Sequence, residues 1–359
     1  MSHPLSRTIL AALLAQSAFA GLITDLGAIN FGNTWSALNN SNIVVGSIYS
    51  GNEVHAAKYQ NGTITDLGNL GAGYGRAFGI SGNGQITGES ALANGEIHAF
   101  LYANGTMQDL GTLGGDSSGK AVNNDGWVAG NSYRSGMGDA HAFLYDGTGM
   151  TDLNRTGFSS TLANGINNNG EVVGNSVLDG GTYHGFFYKG ATFTYLGGLL
   201  PNFVDGVNDS GQLLYRTAIP YSTAERTSIY TPGGPGLTDI GTLGGDTTQG
   251  RKINASGQVV GFSSPAGNPV DGNGSSIYQP FLYSNGTMVN INDLFPANSG
   301  WIVTGIQDIN DAGVILGSGT LNGVDHAFLL DPNASATPEP GTLLLVGGAI
   351  LAFGLRRRR

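Results

Sequence analysis

The chain has 359 residues, of which 40% are hydrophobic and only 11% charged, with 61 glycines, no cysteine and a formal net charge of −10. That length is ample for a packed core, and the lack of cysteine excludes a disulfide framework. The acidic balance argues against nucleic acid or an anionic membrane as a partner.

Residues 1–20 read as a secretory signal peptide. Arg7 precedes the apolar stretch Ile9 to Ala15, and Ala18-Phe19-Ala20 offers small residues at the cleavage positions, which places the cut between Ala20 and Gly21. Next comes the strand-like segment Leu22-Ile23-Thr24-Asp25-Leu26-Gly27, which has no unit before it.

From about residue 30 to residue 330 one unit recurs seven times, with a period near 43 residues in its first half. Each unit has four landmarks in order. A short strand ends in Ile/Val-Asn, a strand such as Val172-Val173-Gly174 follows a Gly turn, then comes a His-Ala-Phe strand, and the last strand ends Thr-Asp-Leu. The first turn recurs as Val122-Asn123-Asn124-Asp125-Gly126 and Ile166-Asn167-Asn168-Asn169-Gly170. It closes at positions 42, 84, 126, 170, 211, 257 and 313. Gly there takes positive φ freely, and Asn or Asp bonds back to nearby backbone, so these are hairpins. Asn61-Gly62-Thr63, Asn104-Gly105-Thr106 and Asn285-Gly286-Thr287 join the third and fourth strands.

Four antiparallel strands per unit predict an all-β, seven-bladed β-propeller of four-stranded blades over residues 21–333. The last unit runs through His326-Ala327-Phe328-Leu329 and lacks a fourth strand, so the orphan strand at Leu22–Gly27 is expected to supply it and close the ring. Residues 334–341 form a linker with Pro338-Glu339-Pro340. Residues 342–359 are expected to form a short transmembrane helix, with Leu343 to Leu355 apolar, followed by Arg356-Arg357-Arg358-Arg359. Thirteen apolar residues are short for a span. The arginines would hold that end in the cytoplasm and leave the body outside. Without both processed ends the charge becomes −14, from ten basic and 24 acidic residues.

Apart from His3, every histidine occupies the same repeat position: His55, His98, His141, His184 and His326. Equivalent positions are spread around a ring and cannot converge on one ion, so a structural role is expected and no metal or cofactor. Asp66, Asp109 and Asp152 each follow a His by eleven residues, which suggests His–Asp pairs between strands. No nucleophile motif or metalloprotease helix is present. The Asn/Asp turns lack the dense acidic pattern of a calcium loop. An acid/base pair assembled across the ring would instead make a propeller glycosidase or lyase. The long links between second and third strands put Tyr49, Tyr133, Tyr183, Tyr221 and Tyr278 on one face, with Trp35 and Trp301 beside the closure. These aromatics are the candidate ligand-binding residues, since their rings suit sugars.

Two resemblances add to this reading. Pro338-Glu339-Pro340, the short Leu/Gly-rich segment and the terminal arginines resemble a PEP-CTERM sorting signal. Such tails imply exosortase as processing partner, transient inner-membrane anchoring and release to the cell surface or medium. The repeats resemble the HAF family of extracellular bacterial repeats, although Ser228-Ile229-Tyr230 and Gln279-Pro280-Phe281 depart from His-Ala-Phe. Together they imply an exported binding or structural protein, associated with exopolysaccharide or biofilm and partnered by extracellular polysaccharide or a surface glycan. An enzyme acting on polysaccharide is the alternative.

Overall fold

The structure is a computed structural model that describes residues 23–28, 34–134, 137–178, 181–197, 202–234, 236–270, 275–296 and 298–334. Ala20, Gly21, Pro338 to Pro340 and Arg356 to Arg359 lie outside the described residues. Among those described, the one helix is the 3-10 turn Ile291–Leu294, and no helix is long and apolar enough to cross a membrane. The expected signal segment, residues 1–20, and the expected transmembrane helix, residues 342–359, lie outside the described residues.

The strands are antiparallel and radially repeated, as in a β-propeller, but they do not form seven separate blades. Five four-stranded blades stand alone, and one eight-stranded sheet carries the strands of the first two repeats. The merger comes from a parallel bridge between Val54 and Tyr74. The strand Gly71–Ile80 is ten residues long, and Gly71 and Gly73 near its start take positive φ. It thus begins early enough to reach the neighbouring strand Glu53–Gln60.

The strand Ile23–Ala28 pairs antiparallel with Val324–Leu330, from Ile23 opposite Leu330 to Ala28 opposite His326. It is the outer strand of the sheet that also contains Ile315–Leu321 and Trp301–Ile309. The core lies between neighbouring sheets. Leu26, Leu316 and Leu329 from the last sheet pack with Trp35, Val44 and Ala57 from the first, so the closure is itself a hydrophobic interface.

Most first strands carry a bulge, for example between Ala163 and Gly165 and between Gly250 and Lys252. Opposite it sits a glycine of the second strand, and beside that glycine lies the buried Phe of the third. Gly130 pairs Phe143, Gly174 pairs Phe186 and Gly317 pairs Phe328. A Cβ on Gly174 would overlap the Leu162 carbonyl oxygen and press on the Phe186 ring. Phe100, Phe143, Phe186, Phe281 and Phe328 have no exposed surface. Burial of each contributes about 1.5–3 kcal/mol.

Candidate functional site

First strands line the axis of a propeller. Counting back three residues from each turn Asn or Ser gives Ser36, Phe78, Lys120, Asn164, Asp205, Arg251 and Gln307. This layer departs from the repeat at every step, whereas the turns around it are nearly uniform. Asn164, Asp205, Arg251 and Gln307 share a cavity of about 620 Å³ with Asn175, Arg216, Gln249, Lys252 and Phe262. The first strands run from the long-link face to the turn asparagines, so this chamber lies between the two.

Its electrostatics are organised by Arg216. The guanidinium donates to Asp205 at 2.9 and 3.2 Å and to Glu225 at 2.7 Å, and stacks over Phe203 at 4.5 Å. Gln249 donates to the same Glu225 carboxylate at 2.9 Å. Asp308, half-buried, lies within reach of the Lys252 charge. Burial pushes its carboxyl above the usual range, against the Lys252 charge and the N–H groups of Leu38 and Ile309. Across the channel Lys120 sits 4.5 Å over the Phe78 ring, and burial lowers its ammonium pKa while Glu89 opposes the shift. Tyr74 donates to Glu89 at 2.6 Å, and burial together with that carboxylate pushes the phenol up to about 12.

The opposite mouth is a ring of amides. The turn asparagine of one unit donates Nδ2 to the backbone carbonyl of the next: Asn123 to Asn167, Asn167 to Asn208, Asn208 to Asn254, Asn254 to Asn310, and Asn310 back to Asn39. Asn39 donates to Ser81, and where Ser81 has no amide Asn83 reaches Asn124 instead. Each Oδ1 accepts two N–H groups of its own turn, as Asn208 does from Ser210 and Gln212. A smaller cavity of about 320 Å³ lies over this ring.

Residues 336–359 match the family described as the PEP-CTERM protein-sorting motif. The chain carries a PEP-CTERM sorting signal. A PEP-CTERM protein is exported and processed by an exosortase, and both statements now apply here. The match does not extend to the repeats. No curated protein matches the chain. Among solved structures, the chain is similar to the β-propeller domain of the Trilobed protease from Pyrococcus furiosus, at 12% identity and TM-score 0.56 over 87% of this chain and 99% of that one. It is similar to an oligogalacturonate lyase in complex with manganese, at 12% identity and TM-score 0.55 over 87% and 94%. A Pyrococcus horikoshii acylaminoacyl peptidase gives 11% identity and TM-score 0.54, over 86% of this chain and about half (53%) of that one. Identities this low establish the propeller fold alone.

The aromatic candidates are scattered. Tyr49, Tyr133, Tyr183, Tyr221 and Tyr278 are exposed on five different units. Tyr133 lines a side cavity of about 350 Å³ with Lys120 and Glu89, and Tyr183 packs on Phe203 at 5.7 Å. Trp35 is only 8% exposed and meets Tyr59 edge-on, so it belongs to the core. Trp301 packs against Phe295, Phe328 and His326. Both tryptophans brace the closure, Trp35 buried and Trp301 partly buried.

The repeat histidines are structural pairs. His55 bonds Asp66 at 2.9 Å, His98 bonds Asp109 at 2.8 Å, His141 bonds Asp152 at 2.9 Å, and His326 bonds Asp25 across the closure at 2.8 Å. The strand register puts Arg226 and Asp239 at these positions in the fifth unit, where they form a 2.9 Å ion pair. Ser228 therefore aligns with the buried Phe, two residues from the alignment expected on sequence. In the sixth unit Gln279 accepts from Asn290 at 2.7 Å. His184 contacts Tyr195 edge-on and the Asn202 amide. Among the described residues no group of three or more His, Asp or Glu could hold a metal. The chamber residues escaped the sequence reading. The available signal was Arg251-Lys252 and Lys120, charges set just before a turn in a chain with few charges.

Proposed function

We propose that this exported propeller binds an extracellular polysaccharide or surface glycan, with no catalytic step of its own, and works at the cell surface or in a biofilm matrix after its tail has been anchored in the inner membrane and cut. One observation carries the reading: the axial chamber is lined by four amides, cationic side chains and one phenylalanine, while its one lining carboxylate, Asp205, and the neighbouring Glu225 are tied to Arg216. A volume of about 620 Å³ lies within the usual range for small-ligand sites. Amides both donate and accept, as sugar hydroxyls do, and an aromatic ring covers a sugar's apolar face. Asp205 and Glu225, held in ion pairs, are poorly placed to act as a free acid and base.

The test is a glycan array probed with the protein recovered from the medium, followed by incubation with each polymer it retains. Retention of a defined glycan class, with chain length unchanged, is expected. No retention on any glycan would overturn the binding reading. Release of shortened chains would overturn the non-catalytic part and favour a glycosidase or lyase.

A further inference from the structure

We infer that the chamber selects an acidic sugar, and that Arg251 receives the carboxylate of a uronic-acid unit. This rests on the glycan-binding reading and makes it specific. The chain is acidic overall, yet three cations, Arg216, Arg251 and Lys252, meet in one arc of the channel wall beside a single lining carboxylate, Asp205. Two of the three are engaged. Arg216 holds Asp205 and Glu225, and the Lys252 charge acts on the Asp308 carboxyl without a direct ion pair. The Arg251 side chain is exposed to the chamber, and among the described residues it has no ion-pair, hydrogen-bond or ring partner. Its planar fork suits bidentate capture of a carboxylate.

Gln307 supplies a second demand. Its Nε2 donates to Ser318 at 3.1 Å, while its Oε1 is buried without a hydrogen-bond partner. A buried acceptor of this kind calls for a donor. A turn of the Gln307 amide would bring that oxygen to the chamber, where a sugar hydroxyl can supply the donor and a bare carboxylate cannot. Phe262 adds an apolar wall for the ring. A pyranose bearing both hydroxyls and a carboxylate answers all three features, and the chamber is large enough for a short oligomer.

The experiment is calorimetric titration of the secreted protein with oligouronates and with the same oligomers after carboxyl reduction. It is repeated for Arg251→Gln, Arg251→Lys and Gln307→Leu. A charge-assisted pair lost from a partly shielded site predicts at least about tenfold weaker uronate binding for Arg251→Gln, part of it recovered in Arg251→Lys. Carboxyl reduction should weaken the parent by a similar factor and leave Arg251→Gln unaffected. Gln307→Leu should weaken both oligomers. Arg251 is exposed, so an unchanged melting curve for its variants is expected. Equal affinity for the uronate and its neutral form, or an unaffected Arg251→Gln, would overturn this inference and leave glycan binding standing. If neither oligomer nor any glycan binds, both fall.

Discussion

At the scale of single residues, one contact recurs with changing chemistry. Four units use His with Asp, one uses Arg with Asp, and one uses Gln with Asn. What persists is a polar pair across the third and fourth strands, whose fourth-strand member also accepts a backbone N–H from two residues on, as Asp66 does from Gly68 and Asn290 from Asn292. At His55, burial works against the charged ring, but bonds to Glu53 and Asp66 outweigh it and raise the pKa. Burial likewise opposes the Asp66 charge, and the Gly68 N–H and His55 outweigh it and lower that pKa. The His55 contribution is complete below the ordinary His range and fades as pH rises through the raised value. The Asp66 contribution is complete above the ordinary carboxylate range and fades as pH falls through the lowered value. The melting-temperature gap between the parent and His55→Gln should therefore be wider at about pH 5.5 than at about pH 8.5. A gap independent of pH would refute the pairing. The fifth unit shows a second exchange. Tyr215 of its second strand faces Ser228, where five other units place Gly opposite Phe, and its hydroxyl reaches the Leu196 carbonyl of the preceding unit. Phe143 and Phe281 pack with the equivalent residues Leu110 and Ile240. One ring fills the space from either strand. Tyr215→Gly should cost about 2–4 kcal/mol in denaturant unfolding, and adding Ser228→Phe should restore much of it.

At the scale of elements, the decisive piece is the strand Ile23–Ala28. It shields the edge of Val324–Leu330 and brings Asp25 to His326. Deleting residues 21–28 should lower the melting temperature and promote aggregation through that apolar edge, measurable by light scattering during heating. Unchanged melting and scattering would mean that the strand does not hold the last sheet. This element was legible in the sequence because an orphan Thr24-Asp25-Leu26 matched a gap 300 residues later. The turns were equally legible. Six of their closing positions are glycines with positive φ, and the seventh is Asn42 at φ 56°. Sheet boundaries were not. The Val54–Tyr74 bridge depends on how far one strand overruns its neighbour, a matter of backbone path that leaves no residue pattern. The chamber was passed over for a related reason. Repetition draws attention to what is constant, such as the tyrosines on successive links, whereas the chamber is built from the positions that vary. The packing of Trp35 and Trp301 at the seam follows from tertiary contact alone.

At the scale of the molecule, the ring is closed twice, once by the outer strand and once around the axis by the asparagine chain. Asn208 shows what the second closure involves. It is 4% exposed, it donates to the Asn254 carbonyl at 2.8 Å, and it accepts from Ser210 and Gln212. Removing that amide leaves buried partners on two units unsatisfied. Asn208→Ala should cost about 2–4 kcal/mol. Its exposed neighbour Asn168, which bonds Asp209 at 2.7 Å, should cost no more than about 0.5 kcal/mol on the same change. Similar losses at both positions would show that the ring shares no load.

The outer closure also sets a timetable. The ribosome makes Ile23–Ala28 before any repeat, and its partner Val324–Leu330 comes after all of them. Pairings this distant along a chain form late, and their edges stay adhesive until they do. A copy that stops anywhere short of Leu330 keeps an unmatched β-strand at its front end, a mark by which chaperones and proteases can tell an unfinished molecule from a finished one. Completion of the ring is thus a record, written in hydrogen bonds, that every repeat has been made.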